Sequence, residues 1–513
     1  MRQINKIKEN IKVSNIICKA SAKVMVNEEI EIQKPGVTIS RIVKESGKAY
    51  VDELRIRENQ VIIGGVLDYQ ILYSEQKTGL PQCEMGQIRF EDYVKIPNIR
   101  EDNVITVDSS VDWITVRVIN DRKVIIKAQI TVLATATDTG DIEVMTSVEK
   151  QDDMEILDKN MNLLEMVKEM SDTLRIKETV ELPGGKPSLS YLLWKDVRIK
   201  NMEYGVINGK LSVSGELNVF YMYAPDDENP ISQWQEFDIA FNYDLEVGDS
   251  NIIPYVEAAI QSMELIPIPN EMGDNKEVES DILLKINIKL FEEKEIKMIE
   301  DVYSLKTDMD LVKNKIMYNK LLVKNISRSR NVVKINIGGN KDDILQICFP
   351  AAEIRIEDIS VVEDAIVAKG KLNVYVIYTT TDDRNPICTA SKEVDFSHRI
   401  DAEGISRNDE FFVNWRVEQT TANMVNAEEI EVRINMAMEI FVVQKCTKEL
   451  ATDIKEEEMT QNKSPYIRAH VVQSGETLWK LAKDNRTTVD RIKEINNLKG
   501  DTIQLGDRLI VAK

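Results

Sequence analysis

Ahead of its C-terminal segment the chain is written largely in runs where apolar and polar residues alternate with period two. In one run Leu211, Val213, Gly215, Leu217, Val219, Tyr221 and Tyr223 take one side, and Lys210, Ser212, Ser214, Glu216 and Asn218 the other. This is the pattern of a half-buried antiparallel strand. The stretch Gly215–Tyr223 recurs as Gly65–Tyr73 and Gly370–Tyr378, each with Leu two residues after the Gly, large residues at four and six, and Tyr at eight. The glycines are 150 and 155 residues apart, so the repeating unit has the size of a domain. A mid-strand Gly predicts a bulge or the close approach of another strand. Val111-Asp112-Trp113 and Val413-Asn414-Trp415 follow in copies one and three, with Tyr255 as the expected counterpart in copy two. Each copy closes on a further alternating run, Val124–Leu133, Ile282–Leu290 or Ile430–Ile440. The expected fold is mainly β: three tandem, mostly antiparallel β-sandwich-like repeats at 1–150, 151–305 and 306–452. A short helix is expected near a repeat's start, as over Met161–Leu174.

Residues 453–466, with Lys455-Glu456-Glu457-Glu458 and Pro465, read as an acidic, polar linker. The segment 467–513 then runs through Gly475-Glu476-Thr477-Leu478, Leu481-Ala482, Asn496-Asn497-Leu498 and Gly506-Asp507-Arg508-Leu509-Ile510-Val511. That order resembles the LysM family, and the resemblance implies a small βααβ, α+β domain. Its strands would be His470–Gln473 and Asp507–Ala512, and its helices Thr477–Asn485 and Thr488–Asn496. An oxygen side chain is available to cap the first helix, and Thr487 or Thr488 the second. Glu476 stands where Asp is commoner, and the end lacks the usual Pro.

Composition adds a location and a charge asymmetry. A chain of 513 residues exceeds one core, so three or four domains are expected. Its net charge of −21 disfavours nucleic acid and anionic membrane surfaces as partners. Residues 467–513 hold nine Lys/Arg against six Asp/Glu, so a mildly basic tip follows an acidic body. Met1 to Asn10 is charged throughout, and no stretch reaches the roughly 20 apolar residues of a membrane helix. Neither export nor membrane insertion is expected. Five scattered cysteines without CxxC spacing read as reduced thiols of a cytoplasmic protein.

Catalysis finds little material. The two histidines are His398 and His470, and there is no GxSxG, P-loop or HExxH. His470 reads as a strand residue. The pairs Asp226/Asp227 and Asp382/Asp383 could supply oxygen ligands to a cation. Flanked by strands and followed by Asn-Pro, they read instead as solvated turns. The tyrosines that end the repeated strands read as core. No enzyme activity, no cofactor and no metal are expected.

The Gly-x-Leu-x-[Val/Tyr]-x-x-x-Tyr strand at domain-length spacing resembles the SPOCS domain, found in tandem in spore coat and spore assembly proteins of Firmicutes. Copy one is the loosest, with Lys77-Thr78-Gly79-Leu80-Pro81 in place of the Asp-Asp-x-Asn-Pro turn. Three such repeats and one LysM domain together resemble clostridial spore coat morphogenetic proteins. The resemblance implies a non-catalytic adaptor in the mother-cell cytoplasm, at the forespore surface. Its LysM domain would bind the SpoIVA-like ATPase of the coat basement layer, and its repeats would dock further coat proteins. Trp479 and Lys480 fall beside or outside the apolar stripe of Leu478, Leu481 and Ala482. An exposed Trp beside a Lys is a hot-spot composition, so Trp479, Lys480, Lys483 and Arg486 are the expected partner face. The alternative is a peptidoglycan or N-acetylglucosamine binder. In glycan-binding members two loops form a groove, here matched by Gly475, Glu476 and Thr477 on one wall and Asn497, Leu498 and Ile503 on the other. A cytoplasmic domain cannot reach cortex glycan, so a protein partner is expected.

Overall fold

The structure, a computed structural model, describes residues 5–34, 36–227, 231–248, 251–337, 344–426, 428–457 and 467–512. Among the described residues, the chain ahead of the C-terminal module is strand, turn and loop, and each repeat has six strands. In the first, one sheet has the order β1 (Lys6–Glu31), β6 (Lys123–Val148), β5 (Val104–Asn120). The other has the order β2 (Ile39–Arg57), β3 (Gln60–Glu75), β4 (Pro81–Lys95). The second repeat matches it with β7 (Met154–Glu181), β12 (Asn275–Ser304), β11 (Ile252–Pro269) against β8 (Leu189–Ile207), β9 (Lys210–Pro225), β10 (Gln233–Glu246). The third has β13 (Asp308–Asn336), β18 (Glu429–Glu457), β17 (Glu410–Asn426) against β14 (Ile344–Val362), β15 (Ala365–Thr380), β16 (Ile387–Asp401).

The two sheets of a repeat bury their alternating faces against each other. Ile63, Leu67, Ile71 and Tyr73 of β3 share one cluster with Val124, Ile126, Ile130 and Val132 of β6. Burying a side chain of this kind is worth about 1.5–3 kcal/mol, so period two suffices to select strands here. All nine of Gly65/Leu67/Tyr73, Gly215/Leu217/Tyr223 and Gly370/Leu372/Tyr378 lie in the middle strands, and the Leu and Tyr side chains are buried. The glycines have a common cause. Each lies opposite a Phe of the next strand: Phe90, Phe241 and Phe396. On the other side the partner strand bulges, between Val51 and Glu53, Lys200 and Glu203, and Ile356 and Asp358. A Cβ on Gly370 would fall 2.1 Å from the Arg355 carbonyl oxygen, and one on Gly65 would fall 2.4 Å from that of Tyr50. The bulge sits in the neighbouring strand, and the Gly makes room for it.

Three expectations are corrected. Met161–Leu174 is no helix but part of β7, paired with β12 from Ile296 to Leu284 with one bulge, at Val167. Its Met, Leu, Glu and Lys favour helix locally; a long partner strand with an apolar face outweighs that preference. The aromatic triplet does not share a register: Trp113 faces Gln129, Tyr255 faces Lys289 and Trp415 faces Met438. Residues 453–457, expected in the linker, extend β18 and pair with Asp308–Val312, because Ile454 has a core to enter. The rest of that linker, 458–466, lies outside the described residues.

The repeated strands are half-buried only at their starts. Phe220 and Met222 are buried on the face opposite Tyr221 and Tyr223, because the repeats pack on one another there. Leu72, Met222 and Ile377, at the same place in each copy, meet in one cluster with Trp194 and Phe349. Two further three-way clusters join the long strands. One holds Val13, Leu163 and Leu450; the other holds Val148, Val302 and Ile454. In the third repeat's acidic loop the Asp382 carboxylate accepts the Arg384 amide at 2.9 Å and the Asn385 side-chain amide at 2.6 Å, a self-contained turn. Glu228, Asn229 and Pro230 of the second loop lie outside the described residues.

Candidate functional site: the C-terminal module and its seat

The module pairs β19 (Ile467–Val471) antiparallel with β20 (Arg508–Ala512), with α1 (Leu478–Asn485) and α2 (Val489–Asn496) between them. Strand one begins three residues earlier than expected. Each helix starts on a threonine whose hydroxyl accepts an amide: Thr477 from Lys480 at 3.2 Å and Thr488 from Arg491 at 3.0 Å. Each stops on a left-handed residue, Arg486 or Asn497. Asn496 clamps α2 to the sheet. Its amide group donates to the Ile492 and Ile510 carbonyls, both at 2.8 Å, and its oxygen accepts the Ile510 amide at 2.7 Å.

On α1, Leu478, Leu481, Ala482 and Asn485 are buried in the module. Trp479, Lys483 and Arg486 follow spacings of four and three residues and so share a second face. That face is turned to the body, where it meets the end of β12 and the start of β13. The Trp479 indole donates to Asp301 Oδ2 at 2.8 Å, and Lys483 Nζ donates to Asp301 Oδ1 at 2.6 Å. Arg486 pairs with Asp308. Tyr303 enters the module's own core beside Leu478, Leu481 and Ile492. Its hydroxyl donates to the Thr487 carbonyl at 2.8 Å, and its ring meets Trp479 edge-on with centroids 4.9 Å apart. Burial would raise the Asp301 carboxyl, but the bonds from Lys483 and Trp479 outweigh it and hold it below the usual range. Trp479 is thus half-buried against the body, contrary to the exposed position expected of it. Of the four residues on the expected partner face, Lys480 alone is exposed.

The expected groove lies elsewhere on the module. Gly475, Thr477 and Asn497 are exposed; Leu498 and Ile503 are half-buried and pack with Leu478. Gly475 has φ +81°, a turn conformation that favours Gly. The Glu476 carboxylate is committed within the module. It accepts His470 Nε2 at 2.7 Å and the Gln473 amide at 2.8 Å, and the His470 bond holds its carboxyl low. The His470–Glu476 pair has no sequence signal beyond its spacing of six.

In the body, a cleft of about 540 Å³ opens where β2, β5, β14 and β15 meet. Several of its charges are already partnered. Arg355 and Lys371 both meet Glu393, Lys48 meets Asp196, and Asp112 accepts Gln129 and Thr131. The five cysteines are free thiols, and burial pushes Cys83 up to about 11. Among the described residues no group of three or more His, Cys, Asp or Glu could hold a metal ion, and no helix is long and apolar enough to cross a membrane.

The family model described as SipL, SPOCS domain, matches residues 38–119, 189–266 and 343–425, and the LysM domain model matches 470–512. The chain has the SipL-like architecture. Each SPOCS match runs from the start of β2, β8 or β14 into β5, β11 or β17, leaving the long first and last strands of each repeat outside it. No solved structure matches the chain. SPOCS and LysM are non-catalytic domain families, and together they fit a sporulation protein associated with the coat. A LysM domain points to a glycan or a protein partner.

Proposed function

We propose that the chain is a non-catalytic adaptor of spore coat assembly, working in the mother-cell cytoplasm at the forespore surface. Its LysM domain binds the SpoIVA-like ATPase of the coat basement layer, and its SPOCS repeats dock further coat proteins. One observation carries the partner class. The Trp479–Lys483–Arg486 face already engages a protein surface, made of two carboxylates and a tyrosine. A face with that chemistry suits an acidic protein surface, where bonds to ionised groups are the strong ones. The binding test uses the purified ATPase and the full chain. Trp479→Glu removes capture while the far-UV spectrum is kept; undiminished capture would take Trp479 out of the partner face.

The glycan alternative keeps one supporting observation, the exposure of Gly475, Thr477 and Asn497 on the groove. It requires heat on titration with peptidoglycan or chitin oligomers. No heat at millimolar ligand dismisses it.

A further inference from the structure

The body offers three equivalent corners, and only one seats the LysM domain. In each repeat the last long strand bulges near its end, between Met145 and Ser147, Ile299 and Asp301, and Ala451 and Asp453. The residues that follow are Ser147-Val148-Glu149, Asp301-Val302-Tyr303 and Asp453-Ile454-Lys455. Their middle members, Val148, Val302 and Ile454, meet in one cluster, so the corners are related by the repeat. The flanking residues differ. At the first corner Glu149 accepts Asn5 at 2.8 Å, and at the third Asp453 pairs with Lys6, so both are closed by the start of the chain. The second alone pairs an aspartate with a tyrosine. Asp308 stands just beyond it, and there the basic, tryptophan-bearing face is bound.

We infer that Asp301-Val302-Tyr303 with Asp308 is a ligand in cis for the LysM face, and that an external partner gains that face by displacing it. The inference rests on the proposed function in assigning that face to the partner. It adds what the partner must offer: an acidic strand end that carries an aromatic ring, chemically like the corner it replaces. The side-chain bonds that Asp301 accepts from Trp479 and Lys483, and the pair of Asp308 with Arg486, use side chains the partner needs. Within one chain the competition is strong, because a short link gives an effective concentration on the order of millimolar. A partner therefore binds the intact chain more weakly than it binds a chain with the corner disabled.

The experiment changes the body and leaves the LysM face whole. Full-length chain carrying 5-fluorotryptophan is compared as wild type, as Asp301→Lys/Asp308→Lys and as the milder Asp301→Asn/Asp308→Asn. The Trp479 fluorine line is identified by its loss in Trp479→Phe. In both variants the line moves toward its solvent-exposed position, and the affinity for the purified coat ATPase rises, by about tenfold or more for the charge reversal. An unmoved line overturns the inference and leaves the proposed function standing. Where the wild-type chain does capture the ATPase, a moved line with unchanged or weaker capture also overturns it. A moved line with no capture by any chain supports the cis ligand and removes the proposed function instead.

Discussion

A methyl group at Gly370 would stand 2.1 Å from the Arg355 carbonyl oxygen and 3.0 Å from its carbonyl carbon, where ordinary contact begins at 3.4 Å. The obstacle is backbone at a bulge, not the tip of a side chain that could rotate away. β14 would have to retreat from β15 by more than an ångström, across a ladder that also carries the core. Overpacking of this kind costs about 1–3 kcal/mol. Against it stands the entropy that Ala removes from the unfolded chain, about 0.4–1 kcal/mol. The expected net loss for Gly370→Ala is about 1.3 kcal/mol, from the midpoints of those ranges. Gly205 is the control: no atom lies within 4 Å of its ideal Cβ and its φ is not positive, so only the entropic gain remains. Thermal unfolding of the full chain reads the difference. A unit of 150–250 residues shifts by about 2–4 °C per kcal/mol, so Gly370→Ala melts roughly 3–5 °C lower and Gly205→Ala slightly higher. Gly215→Ala, which meets the Phe241 ring at 2.8 Å and a carbonyl only at 3.2 Å, falls between them. Equal midpoints for Gly370→Ala and wild type would refute the close-approach explanation.

Two other predictions concern charge and the module's clamp. Burial, and then the Asp108 charge, push the Glu257 carboxyl up from 4.5 to about 7, while Tyr255 donates to it at 2.7 Å. The folded chain therefore holds a proton that the unfolded chain has lost, and stability falls as pH rises from about 4.5 to 7. Glu257→Gln keeps an acceptor for Tyr255, flattens that fall and stabilises the chain at pH 8 by roughly 1–3 kcal/mol; urea midpoints across pH check it, and an unchanged slope counts against it. Asn496→Ala costs the LysM domain about 1 kcal/mol by releasing both polar groups of Ile510. Amide exchange over residues 508–512 should quicken, and unchanged exchange would deny Asn496 its role as clamp.

Local features of the chain were legible in its sequence; features made by distant segments were not. The Gly, Leu and Tyr of each repeated strand announced a buried face, since alternation is a property of neighbours. Thr477 and Thr488 announced the helix starts for the same reason. Met161–Leu174 misleads because its partner, β12, lies more than a hundred residues on. Phe220 and Met222 carried a usable signal: large apolar residues on both sides of a strand that began half polar. The seat of the LysM domain was the hardest to see. Asp301 lies 178 residues before Trp479, and Asp301-Val302-Tyr303 stands out only when set beside the two corners it departs from. A face of Trp, Lys and Arg announces binding, but not that part of the same chain already occupies it.

The strand order has a consequence for synthesis. Among the described residues β1 pairs only with β6, which starts at Lys123, 92 residues after β1 ends at Glu31. At about 5–20 residues per second, β1 leaves the ribosome some 5–25 s before its partner is complete. The second and third repeats impose the same wait on β7 and β13. A long unpaired strand in a crowded cell invites pairing with another nascent copy. Lys6, Lys8, Glu9, Lys12, Lys19, Lys23, Glu28, Glu29 and Glu31 punctuate β1 along its length. Once folded, Lys6 and Glu9 pair with Asp453 and Lys294 of the other repeats; before then, the charges let an early strand stay single until its own partner arrives.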